Sequence, residues 1–172
     1  GIAINSAMTG HLVLSTLHTN NAATALPRLI DMNIEPYLIA STVNVIVGQR
    51  LVRKICSSCK VSYTISYQKM VKYFKEEVVK KYFPASTKEI RIFQGKGCEV
   101  CNNTGYTGRI GVFEVLVMSE KIEELLVAKA DAAQIAKQAI EEGMTTMFED
   151  GLKKIQQGLT TVEEIMRATK EQ

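Results

Sequence analysis

The segment Cys56-Ser57-Ser58-Cys59 is followed, after 38 residues, by Cys98-Glu99-Val100-Cys101, and the sequence of 172 residues has no other cysteine. The two-residue gap within each pair lets both thiolates reach one metal ion, while adjacent backbone N–H groups turn toward the sulfurs. Two such pairs complete a tetrahedral sulfur shell, which suits zinc and leaves no open position for water. The spacing therefore predicts a structural Zn²⁺ site with four ligands: Cys56, Cys59, Cys98 and Cys101.

Iron, redox chemistry and disulfides are the alternatives for these cysteines. An iron site of the rubredoxin type uses the same four thiolates, and the sequence does not distinguish it from zinc. Redox Cys-x-x-Cys motifs are expected at the start of a helix after a strand, and neither pair has that context. No signal peptide is visible, so we expect a cytoplasmic chain, in which cysteines more often bind metal than form disulfides.

The spacer between the two pairs is longer than the roughly 15–20 residues that are usual in zinc ribbons. We attribute the excess to an inserted amphipathic helix at about residues 67–82. Its apolar residues recur at steps of four: Met70, Phe74, Val78 and Tyr82. Between Tyr67 and Phe83 five lysines stand against two glutamates, a surplus equal to the net charge of +3 of the whole chain. We interpret the insertion as a solvated surface helix, with an anionic-surface binder as the alternative.

Composition and charge are those of an ordinary globular protein, with 46% apolar and 23% charged residues. A net charge of +3 does not by itself indicate a nucleic-acid partner. The aromatic content of 6%, without tryptophan, also offers little stacking surface for single strands. The longest apolar stretch, 37–47, contains polar residues and is much shorter than a membrane span. We expect no nucleic-acid partner and no direct membrane insertion.

The first 55 residues indicate the end of an open α/β sheet. The apolar run 11–17 predicts a buried strand of a parallel sheet, and helices are predicted at 22–32 and at about 37–51. His18 follows the predicted strand, at the edge where open α/β sheets bind ligands, and is a candidate functional residue. His11 begins the same run and is the weaker candidate, and the alternative for both is a hydrogen-bonded structural histidine.

The last third of the chain predicts helices from Phe113 onward. Ser119 is a candidate cap for a helix through Ala128, and Asp131 for a helix that ends before Gly143. The segment 161–164 fits a capping box that opens a final helix with two apolar residues turned inward, Ile165 and Met166.

A phosphate-binding loop is missing from this sequence. The pattern G-x-x-x-x-G-K-[ST] needs two glycines five residues apart, and no pair among the 11 glycines has that spacing. We also find no nucleophile elbow and no clustered carboxylate pair. We therefore find no complete catalytic apparatus in this chain.

Four segments together resemble the ATPases of type II secretion and type IV pilus assembly. Residues 7–20, Ala-Met-Thr-Gly-His-Leu-Val-Leu-Ser-Thr-Leu-His-Thr-Asn, resemble the histidine box of that family. The other matching segments are Gln49–Arg53 before Cys56, Gly97–Cys101 continuing into Gly105–Glu114, and the closing stretches 143–146, 150–152 and 158–161. The resemblance covers nearly the whole chain, and the four cysteines favour the assembly and secretion branch over the retraction ATPases.

The resemblance implies an α/β fold: the C-terminal part of a RecA-like P-loop ATPase core with an inserted tetracysteine zinc lobe and a C-terminal helical bundle. The expected divisions are 1–55 for the core, 56–112 for the zinc lobe and 113–172 for the helical region. It implies a parent protein that is a cytoplasmic homo-hexamer, peripheral to the bacterial inner membrane, binding ATP and Mg²⁺ between subunits. Such a motor moves an inner-membrane platform protein and so powers pilus or pseudopilus assembly or type II protein secretion.

Within that family, His11 and His18 match the box histidines, which implies a position near the γ-phosphate and a role in orienting or sensing it. The family's Walker A and Walker B segments precede its histidine box. The resemblance therefore implies that this chain is an inactive C-terminal fragment. The alternative functions are a stand-alone zinc-stapled protein-interaction module without ATP hydrolysis and a zinc ribbon that binds nucleic acid.

Overall fold

The computed structural model describes residues 1–84, 86 and 88–169, and it is a mixed α/β structure. The helices are α1 (Ile2–Met8), α2 (Ala25–Asp31), α3 (Pro36–Thr42), α4 (Tyr67–Tyr73), α5 (Glu76–Tyr82), α6 (Glu120–Val127), α7 (Ala132–Glu141), α8 (Met147–Gln156) and α9 (Val162–Thr169). The strands are β1 (Val45–Ile55), β2 (Lys60–Ser66), β3 (Glu89–Gly95) and β4 (Tyr106–Val117). Strand β1 pairs with β4, and β2 pairs with β3. Among the described residues, none of these helices has the length and apolar character of a membrane span.

The chain forms two compact units, and each combines two separate parts of the sequence. The first unit comprises Gly1–Gly48 and Glu114–Thr146, and the second comprises Gln49–Phe113 and Met147–Gln172. Strands β1 and β4 each belong partly to one unit and partly to the other. The sequence predicts domain boundaries after residues 55 and 112, where the cysteine-rich part of the chain begins and ends. These boundaries stay a prediction.

The first unit is built around helices whose caps the sequence predicts correctly. The Ser119 hydroxyl accepts a hydrogen bond from Ile122 N–H at the start of α6. Asp131 and Gln134 form a reciprocal capping box at the start of α7. After α7 the chain turns at Gly143, whose φ of +102° is costly for other residues. The fully buried side chains of this unit's core are Leu26, Ile39, Leu116, Ile122, Leu126 and Ile135.

Two sequence predictions in the first unit are wrong. Residues 11–19 form neither strand nor helix, and Leu12 and Leu14 are 88% and 89% exposed. An apolar run becomes a buried strand only where a neighbouring strand completes its backbone hydrogen bonds, and the described residues provide none for this run. The helix predicted over 37–51 ends at Thr42 because the β-branched residues that follow favour strand β1.

The second unit contains an antiparallel hairpin whose strands are connected by the predicted insertion. Strands β2 and β3 pair from Lys60 opposite Gly95 to Ser66 opposite Glu89. The insertion is two short helices, α4 and α5, rather than the single helix predicted. Met70 and Phe74 are buried as expected, whereas Val79 is fully buried in place of Val78 because the break between the helices shifts the apolar face. The helical region predicted from Phe113 begins at Glu120, after β4.

Helix α9 is joined to β1 by a buried carboxylate. Glu164 is 1% exposed, and its two oxygens accept hydrogen bonds from Arg53 N–H at 2.8 Å and from the Arg53 guanidinium at 2.7 and 2.9 Å. Arg167 donates two more bonds to the same carboxylate, at 2.9 and 3.1 Å. The Thr161 hydroxyl accepts a hydrogen bond from Glu164 N–H, which is one half of the predicted capping box. The other half would use the Glu164 side chain, which binds the two arginines instead.

These contacts predict that Glu164→Gln destabilises the protein in a pH-dependent way. Burial raises the pKa of Glu164, but the hydrogen bonds from Arg167 and Arg53 outweigh it and lower the pKa to about 2. The stabilisation is complete above the unfolded pKa and is lost as the pH falls through the folded pKa. We expect a difference in unfolding free energy on the order of 2–3 kcal/mol at pH 7. In urea unfolding from pH 7 to pH 2, the difference should shrink below about pH 5, and a pH-independent difference would contradict this account.

The hydroxyl of Tyr67 provides a second stability prediction. Its oxygen is buried and has no hydrogen-bond partner among the described residues. Removing an unpaired buried hydroxyl removes a desolvation cost, so Tyr67→Phe should leave stability unchanged or raise it by about 1 kcal/mol. Tyr106→Phe is the matched control, because the Tyr106 hydroxyl bonds to the Thr161 hydroxyl at 3.0 Å and its loss should destabilise. Equal losses for both variants in thermal unfolding would contradict the assignment.

Candidate metal centre

The four cysteines come from two turns at the same end of the β2–β3 hairpin. Cys56 follows β1, and a single 3-10 turn, Ser57–Cys59, carries the chain to β2. Cys98 follows β3 by three residues and precedes a second 3-10 turn, Glu99–Cys101. Because the start of β2 pairs with the end of β3, the hairpin register brings the two turns together.

The sulfur positions fit one tetrahedral metal ion. The Sγ–Sγ distances are 3.9 Å for Cys56 and Cys98, 3.9 Å for Cys59 and Cys101, and 3.7 Å for Cys98 and Cys101. All four sulfurs lie within 4.8 Å of one another. Four sulfurs at about 2.3 Å from a central ion are about 3.8 Å apart along a tetrahedral edge. The geometry therefore matches the predicted four-thiolate ligand set and leaves no position for a substrate.

Backbone N–H groups point at the sulfurs, as a thiolate site requires. Gly97 N–H donates to Cys59 Sγ at 3.3 Å, while Cys98 N–H and Gly105 N–H donate to Cys101 Sγ at 3.2 and 3.3 Å. The two segments that flank the second turn approach so closely that a Cβ on Gly95 would lie 2.0 Å from the carbonyl oxygen of Gly105. Glycine at this position is therefore needed for the cluster to close.

The surroundings shift the pKa values of the thiols in opposite directions. A hydrogen bond with the Thr107 side chain is the main cause that lowers the pKa of Cys56 to about 6. Burial raises the pKa of Cys59 to about 11. Burial also raises the pKa of Cys101, but bonds from the Cys98 and Gly105 N–H groups outweigh it and lower the pKa. Since a bound cation deprotonates coordinating thiols, it would hold all four as thiolates.

Neither histidine is a member of the metal-ligating group that the described residues form. His11 and His18 are exposed and belong to the segment 11–19 of the first unit, whereas the cysteines belong to the second unit. The His11 ring nitrogen Nδ1 is 3.0 Å from the Thr9 hydroxyl. Over residues 1–84, 86 and 88–169, the four cysteines are the group of His, Cys, Asp or Glu side chains that could hold an ion. The role predicted for the histidines stays a prediction.

Sequence analysis missed a buried acid, Glu114, close in space to the turn that follows His18. Its carboxylate oxygen Oε1 accepts a hydrogen bond from Ala22 N–H at 2.6 Å. In the structure Glu114 stands between the buried Val112 and Leu116 in the alternating burial pattern of β4, a register that the sequence did not reveal because Phe113 and Val115 are apolar too. A charged residue in that register is unusual and indicates a specific buried partner.

Comparisons with known proteins place the fold and the site in context. The profile of the family described as "Type II/IV secretion system protein" matches residues 1–167. The type II secretion system ATPase E of Vibrio cholerae is 41% identical over 171 residues, which are 99% of this chain and 32% of that protein. The type IV pilus assembly ATPase PilB of Thermus thermophilus is 41% identical over 168 residues, 98% of this chain and 18% of that protein.

The chain spans less than a third of the length of these two relatives. A crystal structure of the pilus retraction motor PilT with bound ADP matches 99% of this chain and 36% of the PilT chain, with a TM-score of 0.60. Its sequence identity of 22% limits that likeness to a shared fold.

We expect Cys56→Ser to lose the metal and to destabilise the second unit. The free energy of metal binding contributes to folding. Removing a ligand should therefore lower the metal content and the melting temperature, and adding a strong chelator should do the same. The measurement pairs elemental analysis, expected to give one ion per wild-type chain, with thermal unfolding. Ser57→Ala, in the same turn, is the control and should keep both the metal and the melting temperature. Normal folding and unchanged melting of Cys56→Ser would contradict the structural role.

Proposed function

Because the chain belongs to the Type II/IV secretion system protein family, we propose that it is part of a motor ATPase that powers type II protein secretion or type IV pilus assembly. The observation that carries this proposal is the 41% identity to two such ATPases over at least 98% of the chain. In this proposal, residues 1–55 belong to a RecA-like core, and the tetracysteine lobe and the closing helices are attached to it.

The metal in this proposal is zinc, and its role is structural. Zinc prefers a closed tetrahedral shell of thiolates, and the Sγ–Sγ distances of 3.7–3.9 Å fit its Zn–S bond length of about 2.3 Å. Without a redox change or an open coordination position, the ion stabilises the lobe and takes no part in hydrolysis. Iron is the alternative ion, and elemental analysis distinguishes the two.

We assign His18, and secondarily His11, to nucleotide sensing. The exposure of both side chains supports this role, because a sensing residue must reach a phosphate or a neighbouring subunit. His18 stands next to the fixed turn that precedes α2, which gives it a defined attachment on the first unit. A neutral or charged imidazole there can orient or report the γ-phosphate while the rest of the protein binds it.

The complete motor needs parts that this sequence lacks. In this proposal a phosphate-binding loop comes from another part of the protein, because no G-x-x-x-x-G-K-[ST] pattern occurs in this sequence, and acidic Mg²⁺ ligands come from there too. The proposal places ATP and Mg²⁺ between subunits of a cytoplasmic homo-hexamer at the inner membrane. There the ring would act on a membrane platform protein, and nucleic acid would not be a partner.

ATP hydrolysis tests this function. The 172-residue chain alone should show no turnover, and the full-length gene product should hydrolyse ATP with Mg²⁺. His18→Ala in the full-length protein should lower kcat on the order of 100-fold, the scale of removing one transition-state contact. Leu14→Ala is the control, since Leu14 is 89% exposed in the same segment.

Three outcomes would contradict the proposal. Turnover by the purified chain alone, dependent on His18, would show that the catalytic apparatus is complete without other segments. A full-length product without ATPase activity would favour the stand-alone zinc-stapled interaction module. Equal activity of His18→Ala and wild type would remove the sensing role.

A further inference from the structure

Glu114 is a buried acid whose chemistry the proposed function does not use. It is 7% exposed, and it occupies an inward position of β4 between Val112 and Leu116, which are both fully buried. An apolar side chain would fill this position at lower cost, because a buried carboxylate loses its hydration. A buried acid is tolerated where it makes strong hydrogen bonds, so the identity of its partner shows what it does.

One partner is a backbone group in the turn between the histidine segment and α2. Ala22 is 1% exposed, and its N–H donates to the Glu114 carboxylate at 2.6 Å across 92 residues of sequence. Because Ala22 precedes α2, its N–H lies outside the hydrogen-bond pattern of that helix. A buried N–H without a partner is costly, and a charged acceptor gives it one of the stronger hydrogen bonds available.

The same turn is fixed from within by three polar side chains. Thr24 N–H donates to Asn21 Oδ1 at 2.9 Å, and the Thr24 hydroxyl donates to the Asn21 carbonyl at 2.9 Å. The Thr19 hydroxyl donates to that same carbonyl at 3.1 Å. The turn 19–24 is therefore held by its own hydrogen bonds and by Glu114, whereas the adjoining residues 11–18 form neither helix nor strand.

We propose that Glu114 is a positioning residue for His18. His18 directly precedes the turn and lies four residues before Ala22, so the Glu114–Ala22 bond fixes the end of the segment that carries His18. In this proposal Glu114 acts through the turn, by its hydrogen bond to Ala22 N–H, and not by touching the nucleotide. The inference rests on the sensing role proposed for His18. It adds that Glu114 holds the backbone next to His18 in place, so that the exposed imidazole starts from a defined position.

A purely structural Glu114 would produce a different result from a positioning one. If Glu114 only stabilised the first unit, its removal would lower activity by the same factor whether or not His18 was present. If it acts through His18, removing it from a protein that already lacks His18 should change nothing further. The decisive quantity is therefore the effect of the double substitution on kcat, compared with the product of the two single effects.

The experiment measures kcat and KM for ATP in the full-length protein with His18→Ala, Glu114→Ala and the double substitution. Glu114→Ala should lower kcat at least tenfold with little change in KM, and the double variant should lie within about threefold of His18→Ala. Glu114→Gln keeps an acceptor oxygen and should retain most of the activity. The matched control is Glu149→Ala in the second unit, which is also 7% exposed and binds Lys81 Nζ at 3.0 Å. Combined with His18→Ala, its effect should be additive.

Amide hydrogen exchange of the 172-residue chain tests the anchor without catalysis. Glu114→Ala should accelerate exchange at Ala22, while Glu114→Gln should accelerate it less. Unchanged exchange at Ala22 in Glu114→Ala would overturn the inference.

The kinetic outcomes separate this inference from the proposed function. If His18→Ala lowers kcat but the Glu114 and His18 effects multiply, the inference fails and the sensing role stands. If His18→Ala has no effect, the sensing role fails and the inference falls with it.

Discussion

The convergence of four sulfur atoms is the constraint on which the second unit depends. The hairpin β2–β3 begins immediately after Cys59 and ends three residues before Cys98, so the cysteine turns close its open end. The entropy cost of closing the intervening loop grows slowly with its length, so the 38-residue spacer can include two helices. These helices cover the hairpin, and Met70 and Val79 are fully buried in the same core as Ile90 and Ile92. The ion would thus hold together a lobe in which, among the described residues, β2 and β3 form a two-stranded sheet.

Contacts beyond the cysteines extend this constraint to the last helices. Cys56 N–H donates to the Gly105 carbonyl at 3.0 Å, and Ile55 N–H donates to the Leu159 carbonyl at 2.9 Å. The Arg53 guanidinium stacks on the Tyr106 ring at 4.2 Å and also binds Glu164. The metal turns, the strand ends and α9 therefore form one continuous polar network.

The sequence predicted those features that depend on local chemistry. The cysteine spacing identified all four members of the sulfur cluster, and Ser119 and Asp131 cap the helices assigned to them. The predicted family is confirmed by the match over residues 1–167. Each of these signals resides in a few neighbouring residues, whose spacing or hydrogen-bonding capacity is sufficient to predict the contact.

Features that depend on distant partners were not predictable in the same way. The run 11–17 has the composition of a buried strand, but the described residues offer it no pairing strand, and Leu12 and Leu14 stay exposed. The sequence predicts a helix that continues past Thr42 to about residue 51, although the β-branched residues there favour strand β1, which pairs with β4. The roles of Glu164 and Glu114 arise from partners 111 and 92 residues away, which local patterns do not reveal.

The central claim is that the four cysteines hold one zinc ion in a closed thiolate shell. X-ray absorption at the zinc edge of the purified chain tests it most directly, because it reports the type, number and distance of the ligand atoms. We predict a single shell of four sulfur atoms at about 2.3 Å. A shell containing nitrogen or oxygen at about 2.0–2.2 Å, or a protein purified without zinc, would contradict the account.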